Sequence, residues 1–125
     1  MKVFKRGITS SAPMQYLPMK TDFAYEVGKA LSIAGGVADT ATAAPEYVCV
    51  SKAKGVSGGF VQSVHVLEDM IFAATLTADG AALKIGDKVT IAADGINLTA
   101  TTASGVAEIT GFDGKAIGST VYFKF

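Results

Sequence analysis

The chain has 125 residues with eleven basic and eleven acidic side chains, so its formal net charge at neutral pH is zero. Half of the residues are apolar, but no run approaches the ~20 consecutive apolar residues that a membrane span requires. The polar, proline-containing segment after the basic start does not match a secretory signal. We therefore expect a single domain that is made in the cytoplasm and has no membrane partner.

The first twenty residues differ in charge from the rest of the chain. They contain no acid and four bases, which are Lys2, Lys5, Arg6 and Lys20. The remaining 105 residues hold seven bases and eleven acids, a net charge of minus four. Pro13 and Pro18 favour extended backbone geometry. We predict an extended N-terminal arm over residues 1–20 that either docks on an acidic surface or stays solvated, and a compact β domain over residues 21–125.

Beyond the arm, the alternation of apolar and polar residues predicts strands at roughly residues 25–33, 47–52, 59–67, 71–77, 88–92, 96–101, 106–110 and 120–124. Asp94-Gly95 predicts a tight hairpin turn, because such turns need positive φ. No run has helical periodicity for ten residues, and residues 78–83 could form one helical turn at most. Short strands with frequent turns predict an all-β fold, either a small barrel or a sandwich.

One short phrase occurs three times, at residues 27–33, 85–91 and 117–123. It consists of a β-branched residue, a glycine, two variable residues, and two apolar residues separated by one position. Glycine relieves the steric limit where a chain bends into a new strand. The apolar pair then lies on one face of a sheet. The phrase predicts a repeated turn-and-strand unit and indicates no particular chemistry.

The sequence offers no candidate for catalysis or metal binding. His65 is the single histidine, which excludes a site with two imidazole ligands. Cys49 is the single cysteine, which excludes an intrachain disulfide, and its strand-like surroundings predict a buried thiol. The aspartates lie beside glycines or in turns, where they have local hydrogen-bonding roles. We predict no catalytic residue, no cofactor and no metal.

Nucleic-acid binding is also not predicted. The body of the chain is acidic, and Phe4 and Tyr16 in the basic segment are too far apart to form a stacking platform. The glycine-rich stretch at residues 54–60 lacks the Gly-Lys-Ser/Thr sequence of a phosphate-binding loop.

A rhythm of turns and strands extends over most of the chain. It lies in the leader ending at Pro18 and Lys20 and in residues 25–31 followed by Gly36, 44–48, 66–70, 85–90 and 117–121. In these segments the chain resembles small structural proteins of tailed phages, which act as capsid decoration (cement) or minor head proteins.

This resemblance implies a non-enzymatic virion protein that is synthesised in the host cytoplasm and binds the outer surface of the capsid. Its partners would be the major capsid protein and further copies of itself, for instance in a trimer. The arm would carry the contacts, with Lys2, Lys5 and Arg6 facing acidic groups of the capsid. Its apolar anchors would be Tyr16, Leu17 and Met19.

A different class of function stays open at this point. A small β domain on a phage tail or fibre could bind a ligand or a carbohydrate. Such domains usually present exposed aromatic side chains, and this chain has no tryptophan.

Overall fold

The structure, a computed structural model, describes residues 1–5, 14–67 and 70–125, and the side chains of residues 3–5 lie outside that description. The described residues form no helix and twelve strands, which confirms the predicted all-β class. The strands are β1 Lys2–Lys5, β2 Met14–Pro18, β3 Ala24–Tyr25, β4 Ala30–Ala34, β5 Val37–Thr40, β6 Tyr47–Cys49, β7 Ala53–Lys54, β8 Phe60–His65, β9 Ile71–Thr75, β10 Lys88–Val89, β11 Ala107–Phe112 and β12 Thr120–Lys124.

The strands form two five-stranded antiparallel sheets and one small pair. Sheet A has the order β1-β9-β12-β11-β10, and sheet B has the order β2-β8-β6-β4-β5. β3 pairs with β7 beside them. β1 is an edge strand of sheet A, and β2 is an edge strand of sheet B. The first two described strands thus belong to different sheets.

The central strands of sheet B bury both of their faces. In β4, Ala30 belongs to one hydrophobic core and Leu31 to another, and in β6, Val48 and Cys49 divide in the same way. Successive side chains of a strand point to opposite faces, so these strands need apolar residues at consecutive positions. Sheet B is therefore the shared wall of two cores.

The main core receives side chains from both sheets. Its largest fully buried members are Phe72, Phe123, Met70, Leu76, Leu98, Ile109, Val48, Val64 and Val89. The small core lies on the other face of sheet B and consists of Leu17, Met19, Tyr25, Leu31, Ala38, Cys49 and Val61. The predicted burial of the Cys49 thiol is confirmed.

Sheet B curves until its first and last strands approach each other. Met19, which follows β2, forms a parallel bridge with Ala38 of β5. The buried Tyr25 hydroxyl supports this contact, because it donates a hydrogen bond to the Ala38 carbonyl at 2.6 Å and accepts one from the Lys20 amide at 2.8 Å. The curvature encloses the small core, but the described strands do not close into a barrel.

The three repeated phrases share one backbone conformation. Each glycine has positive φ, at 90°, 96° and 85° for Gly28, Gly86 and Gly118. The residue after each glycine donates to the carbonyl three positions earlier, as in a type II turn. These bonds run from Lys29 to Glu26 at 3.1 Å, from Asp87 to Lys84 at 3.1 Å and from Ser119 to Ala116 at 3.0 Å.

A β-bulge follows each of these turns. The Gly28 amide donates to the Cys49 carbonyl, and the Cys49 amide donates to the Lys29 carbonyl, both at 2.8 Å. Gly28 and Lys29 therefore lie opposite the single residue Cys49. The first of the two is a glycine with positive φ, which is the arrangement of a G1 bulge. Gly86 and Asp87 face Ile109 in the same way, and Gly118 and Ser119 face Leu76. The repeated phrase is thus a repeated backbone unit that introduces β4, β10 and β12.

Two strand predictions are wrong in detail. The strand predicted at 25–33 is divided into β3 and β4 by the turn at Gly28. The strand predicted at 96–101 is replaced by a turn with isolated bridges at Leu98. There, the Asp94 carboxylate accepts hydrogen bonds from the amides of Ile96 and Asn97, so these amides are not available to a regular ladder.

The predicted division into an arm and a body is not what the described residues show. β1 pairs with β9 in sheet A, and β2 pairs with β8 in sheet B. The backbone is extended, as expected, but both strands belong to the sheets. The cause is the alternation in residues 14–19, which directs Leu17 and Met19 into the small core. The described part of residues 1–20 therefore contributes to the folded body.

We predict that Gly118→Ala lowers the free energy of unfolding by about 1–2 kcal/mol, because an alanine is strained at positive φ even where space is available. A Cβ at Gly118 meets no atom within 4 Å, so backbone strain is isolated from steric clash. The matched control is Gly111→Ala, where φ is not positive and a Cβ makes an ordinary 3.5 Å contact with Tyr122. Urea denaturation measures both, and equal stability of the two variants would contradict the turn assignment.

We predict that Ser63→Ala keeps or raises stability, by up to about 1 kcal/mol. The Ser63 hydroxyl is fully buried in sheet B and has no hydrogen-bond partner among the described residues, so its removal relieves a desolvation cost. As a control, Thr99→Val removes the partner of the Thr90 hydroxyl, which lies at 2.6 Å. This variant should lose about 1 kcal/mol in the same urea titration. A loss of that size in Ser63→Ala would show that its hydroxyl is bonded.

Candidate partner-binding surface

The structure separates the six residues predicted to bind a partner. Tyr16 is exposed, with 64% of its surface accessible, and Lys2 is exposed as well. Leu17 and Met19 are 5% and 8% exposed, so their prediction as anchors for a partner is wrong: they are anchors of the chain's own small core. The side chain of Lys5 and the whole of Arg6 lie outside the described residues.

Tyr16 belongs to an apolar surface that the sequence did not predict. Met14 is 54% exposed and Phe60 is 63% exposed. The pairing of β2 with β8 places Met14 opposite Val64, Tyr16 opposite Gln62, and Pro18 opposite Phe60. Directly opposed residues and residues two apart share one face of a sheet. Met14, Tyr16 and Phe60 therefore form one outward-facing patch, which we call the β2–β8 face.

Local contacts hold this face in place. The Gln62 side-chain amide donates a hydrogen bond to the Tyr16 hydroxyl at 2.9 Å across the two strands. At the other end, the turn before β8 is closed by a bond from the Gly59 amide to the Val56 carbonyl at 3.0 Å. Val56 is 57% exposed, but its side chain lies beside Met19, on the opposite side of the chain from Phe60, and is not part of this face. The face is thus displayed on a paired, two-stranded support.

Met14 could have been noticed from the alternation of residues 14–18, and Phe60 from the start of β8 at an aromatic residue. Such a pattern does not reveal which face of a strand remains uncovered, because that depends on the neighbouring sheet. Val48 and Val64 point to the same side of sheet B as Tyr16 and Phe60, but they are buried in the main core. The main core does not extend over Tyr16 and Phe60, so the β2–β8 face is exposed there.

Ile33 at the end of β4 is 40% exposed, and three further exposed apolar side chains lie at the tips of the repeated turns. Val27, Ile85 and Ile117 are 59%, 68% and 69% exposed. Each occupies the position before the turn glycine, so the backbone unit projects its side chain outward. They are single residues at turn tips, in contrast to the adjacent side chains of the β2–β8 face.

Two open cavities of about 310 and 350 Å³ also lie on the surface. The first is lined by Met1, Val27, Ala74, Thr75, Ile96 and Asn97 among others. Its polar groups already bond to one another: the Thr75 hydroxyl donates to the Asn97 side-chain carbonyl at 2.7 Å, and the Asn97 amide donates to Asp94 at 2.8 Å. The second is lined mainly by small and apolar side chains next to Phe125.

The amine of Met1 is an unusual group in the first cavity. It donates hydrogen bonds to the carbonyls of Gly28 at 2.9 Å and Ile96 at 2.6 Å. Burial lowers the pKa of this amine to about 6, and the nearby Asp94 carboxylate opposes part of the shift. These contacts attach the start of β1 to two of the turns that surround sheet A.

Other reactive groups are separate from each other. The Cys49 thiol donates to the Ser51 carbonyl at 3.0 Å, and burial raises its pKa, which disfavours the thiolate. His65 contacts Tyr47 edge to face, with ring centroids 5.2 Å apart. Among residues 1–5, 14–67 and 70–125, no group of three or more His, Cys, Asp or Glu side chains could hold a metal ion.

The described part of the chain also contains no helix that is long and apolar enough to cross a membrane. Comparisons with protein-family models, with curated proteins and with solved structures find no match for this chain. The β2–β8 face is the candidate functional site among the described residues.

We predict that the stability of the 125-residue chain increases between pH 6 and pH 8. The Met1 amine takes up a proton below its ordinary pKa of 8.0 when unfolded but only below about 6 when folded. The unfolded state therefore binds more protons in this interval, and stability rises with pH by at most about 2–3 kcal/mol.

Urea denaturation at several pH values measures the increase. The experiment should use a His65→Asn background, which removes the single imidazole of the chain. A flat profile in that background would show that the amine titrates alike in both states.

Proposed function

We propose that this protein is a structural virion protein that binds the outer surface of a phage capsid and reinforces it. The observation that carries the proposal is the β2–β8 face, where Met14, Tyr16 and Phe60 stand exposed together on a paired support. Exposed apolar side chains grouped in this way mark surfaces that bind other macromolecules. The resemblance of the turn and strand segments to phage decoration proteins supports the choice of partner.

The size of the face fits an attachment that depends on repetition. Three side chains of this kind expose roughly a few hundred Å², which is less than the about 800 Å² per partner of a stable pairwise interface. A capsid presents the same site many times in fixed geometry. If neighbouring copies also touch one another, contacts that are weak singly become strong together.

The charges of the N-terminal segment add a second contribution. Lys2 is exposed at the start of β1, and Lys20 lies after β2, where it pairs with Asp39 at 2.9 Å. In our proposal Lys2, Lys5 and Arg6 approach acidic groups of the major capsid protein, while the β2–β8 face makes the apolar contact. Salt should therefore weaken attachment through the basic residues and leave the apolar contact largely unchanged.

We predict that Tyr16→Ala and Phe60→Ala each weaken binding to empty capsids about tenfold or more, because each removes an aromatic side chain from the centre of the contact. Co-sedimentation of purified protein with empty capsids of the same phage measures this. Ile85→Ala and Ile117→Ala are matched controls, since these isoleucines are equally exposed but lie at turn tips.

All four variants should unfold at similar urea concentrations, because exposed side chains contribute little to stability. Undiminished capsid binding by both aromatic variants would refute the role of the β2–β8 face. Failure of the unaltered protein to bind capsids at all would refute the proposed function.

A further inference from the structure

The direction of the backbone groups in β2 follows from the hydrogen bonds of β8. The Val50 amide donates to the Gln62 carbonyl at 3.0 Å, so the backbone groups of Gln62 point toward β6. Those of Val61 and Ser63 then point toward β2, because antiparallel strands alternate in this way. Their partners in β2 are Leu17 and Gln15.

The other residues of β2 consequently direct their backbone groups away from β8. The Met19 amide donates to the Gly59 carbonyl at 2.9 Å, which continues the same alternation. The N–H and C=O groups of Met14 and Tyr16 therefore face the open side of sheet B. No residue of the described part of the chain pairs with them there.

The open side is limited at its far end. Pro18 has no N–H group to offer, and Met19 is bridged to Ala38 of β5. The accessible stretch of edge is therefore Met14 to Tyr16, directly beside the exposed side chains of the β2–β8 face. A partner that reaches this place meets apolar side chains and backbone groups that pair with no other residue in 1–5, 14–67 and 70–125.

We infer that the partner binds by adding an extended strand to β2 at Met14 and Tyr16. This rests on the proposed function and specifies how that surface is used. Backbone groups spaced along a strand are matched by another strand, which supplies main-chain hydrogen bonds, while side chains give specificity. The added strand carries an apolar residue on its outward side, where it contacts Tyr16 and Met14.

We assign the strand to the partner of the proposed function. A second copy of β2 paired about Gln15 would match Met14 with Tyr16, and it would already protect the Tyr16 amide in the free protein. Two copies of β2 paired about a two-fold axis at Tyr16 would place Met14 of each opposite Pro18 of the other. Pro18 lacks the required N–H group, and β5 occupies that end through Ala38. The added strand therefore pairs with Met14 and Tyr16 and stops before Pro18.

Hydrogen exchange of single amides tests the inference on the full protein, free and bound to empty capsids. The Tyr16 amide should exchange rapidly in the free protein and about tenfold or more slowly on the capsid. The Leu17 amide, which points toward β8, should be slow in both states. Its behaviour is the internal control for an intact sheet B.

The outcomes separate the two proposals. Binding without slower exchange at Tyr16 would overturn strand addition and leave capsid attachment standing. Slow exchange at Tyr16 already in the free protein would overturn strand addition too, since the edge would then be covered. A protein that does not bind capsids would overturn both.

A pair of variants tests the same hydrogen bond by affinity. Tyr16→Ala and Tyr16→Pro both lack the ring, but only the proline removes the outward N–H group. An outward position on an edge strand tolerates proline, so both should fold. Tyr16→Pro should bind capsids about tenfold more weakly than Tyr16→Ala, the equivalent of one backbone hydrogen bond. Equal affinities at equal stability would contradict the inference.

Discussion

The double burial of sheet B is the constraint on which the rest of the structure depends. Consecutive residues such as Ala30 and Leu31, or Val48 and Cys49, must be apolar because they enter different cores. A shift of one residue in β4 or β6 would exchange the contents of both cores simultaneously. The G1-type bulge at Gly28 helps to prevent this, because it fixes Cys49 of β6 against the beginning of β4. Register and core composition thus determine each other.

This constraint also decides which surface stays open. Sheet A covers the side of sheet B where Val48 and Val64 lie, but its cover does not extend over Tyr16 and Phe60. Leu17, between Tyr16 and Pro18, is directed inward by the same alternation. The apolar residues of β2 therefore have two separate roles: one set stabilises the small core, and the other remains available for binding.

The sequence predicted the local features of the fold better than its assembly. The repeated glycine phrase gave the turn-and-strand units, because positive φ is a local requirement that glycine meets. The local sequence could not predict that β1 and β2 are sheet edges or that Leu17 is buried. Both properties depend on strands that are distant in the chain. The exposure of Phe60 is likewise a property of the sheet arrangement. The proposed site was found in part, through Tyr16.

The repeated turns have a consequence for experimental work on this protein. Their backbone needs a glycine in the second central position but makes no demand on the side chain before it, so Ile85 and Ile117 project freely into solvent. A cysteine introduced at either place would react with a maleimide dye, while the buried native thiol of Cys49 would not. Positions 85 and 117 are thus suitable for attaching a fluorescent label at a loop of the protein.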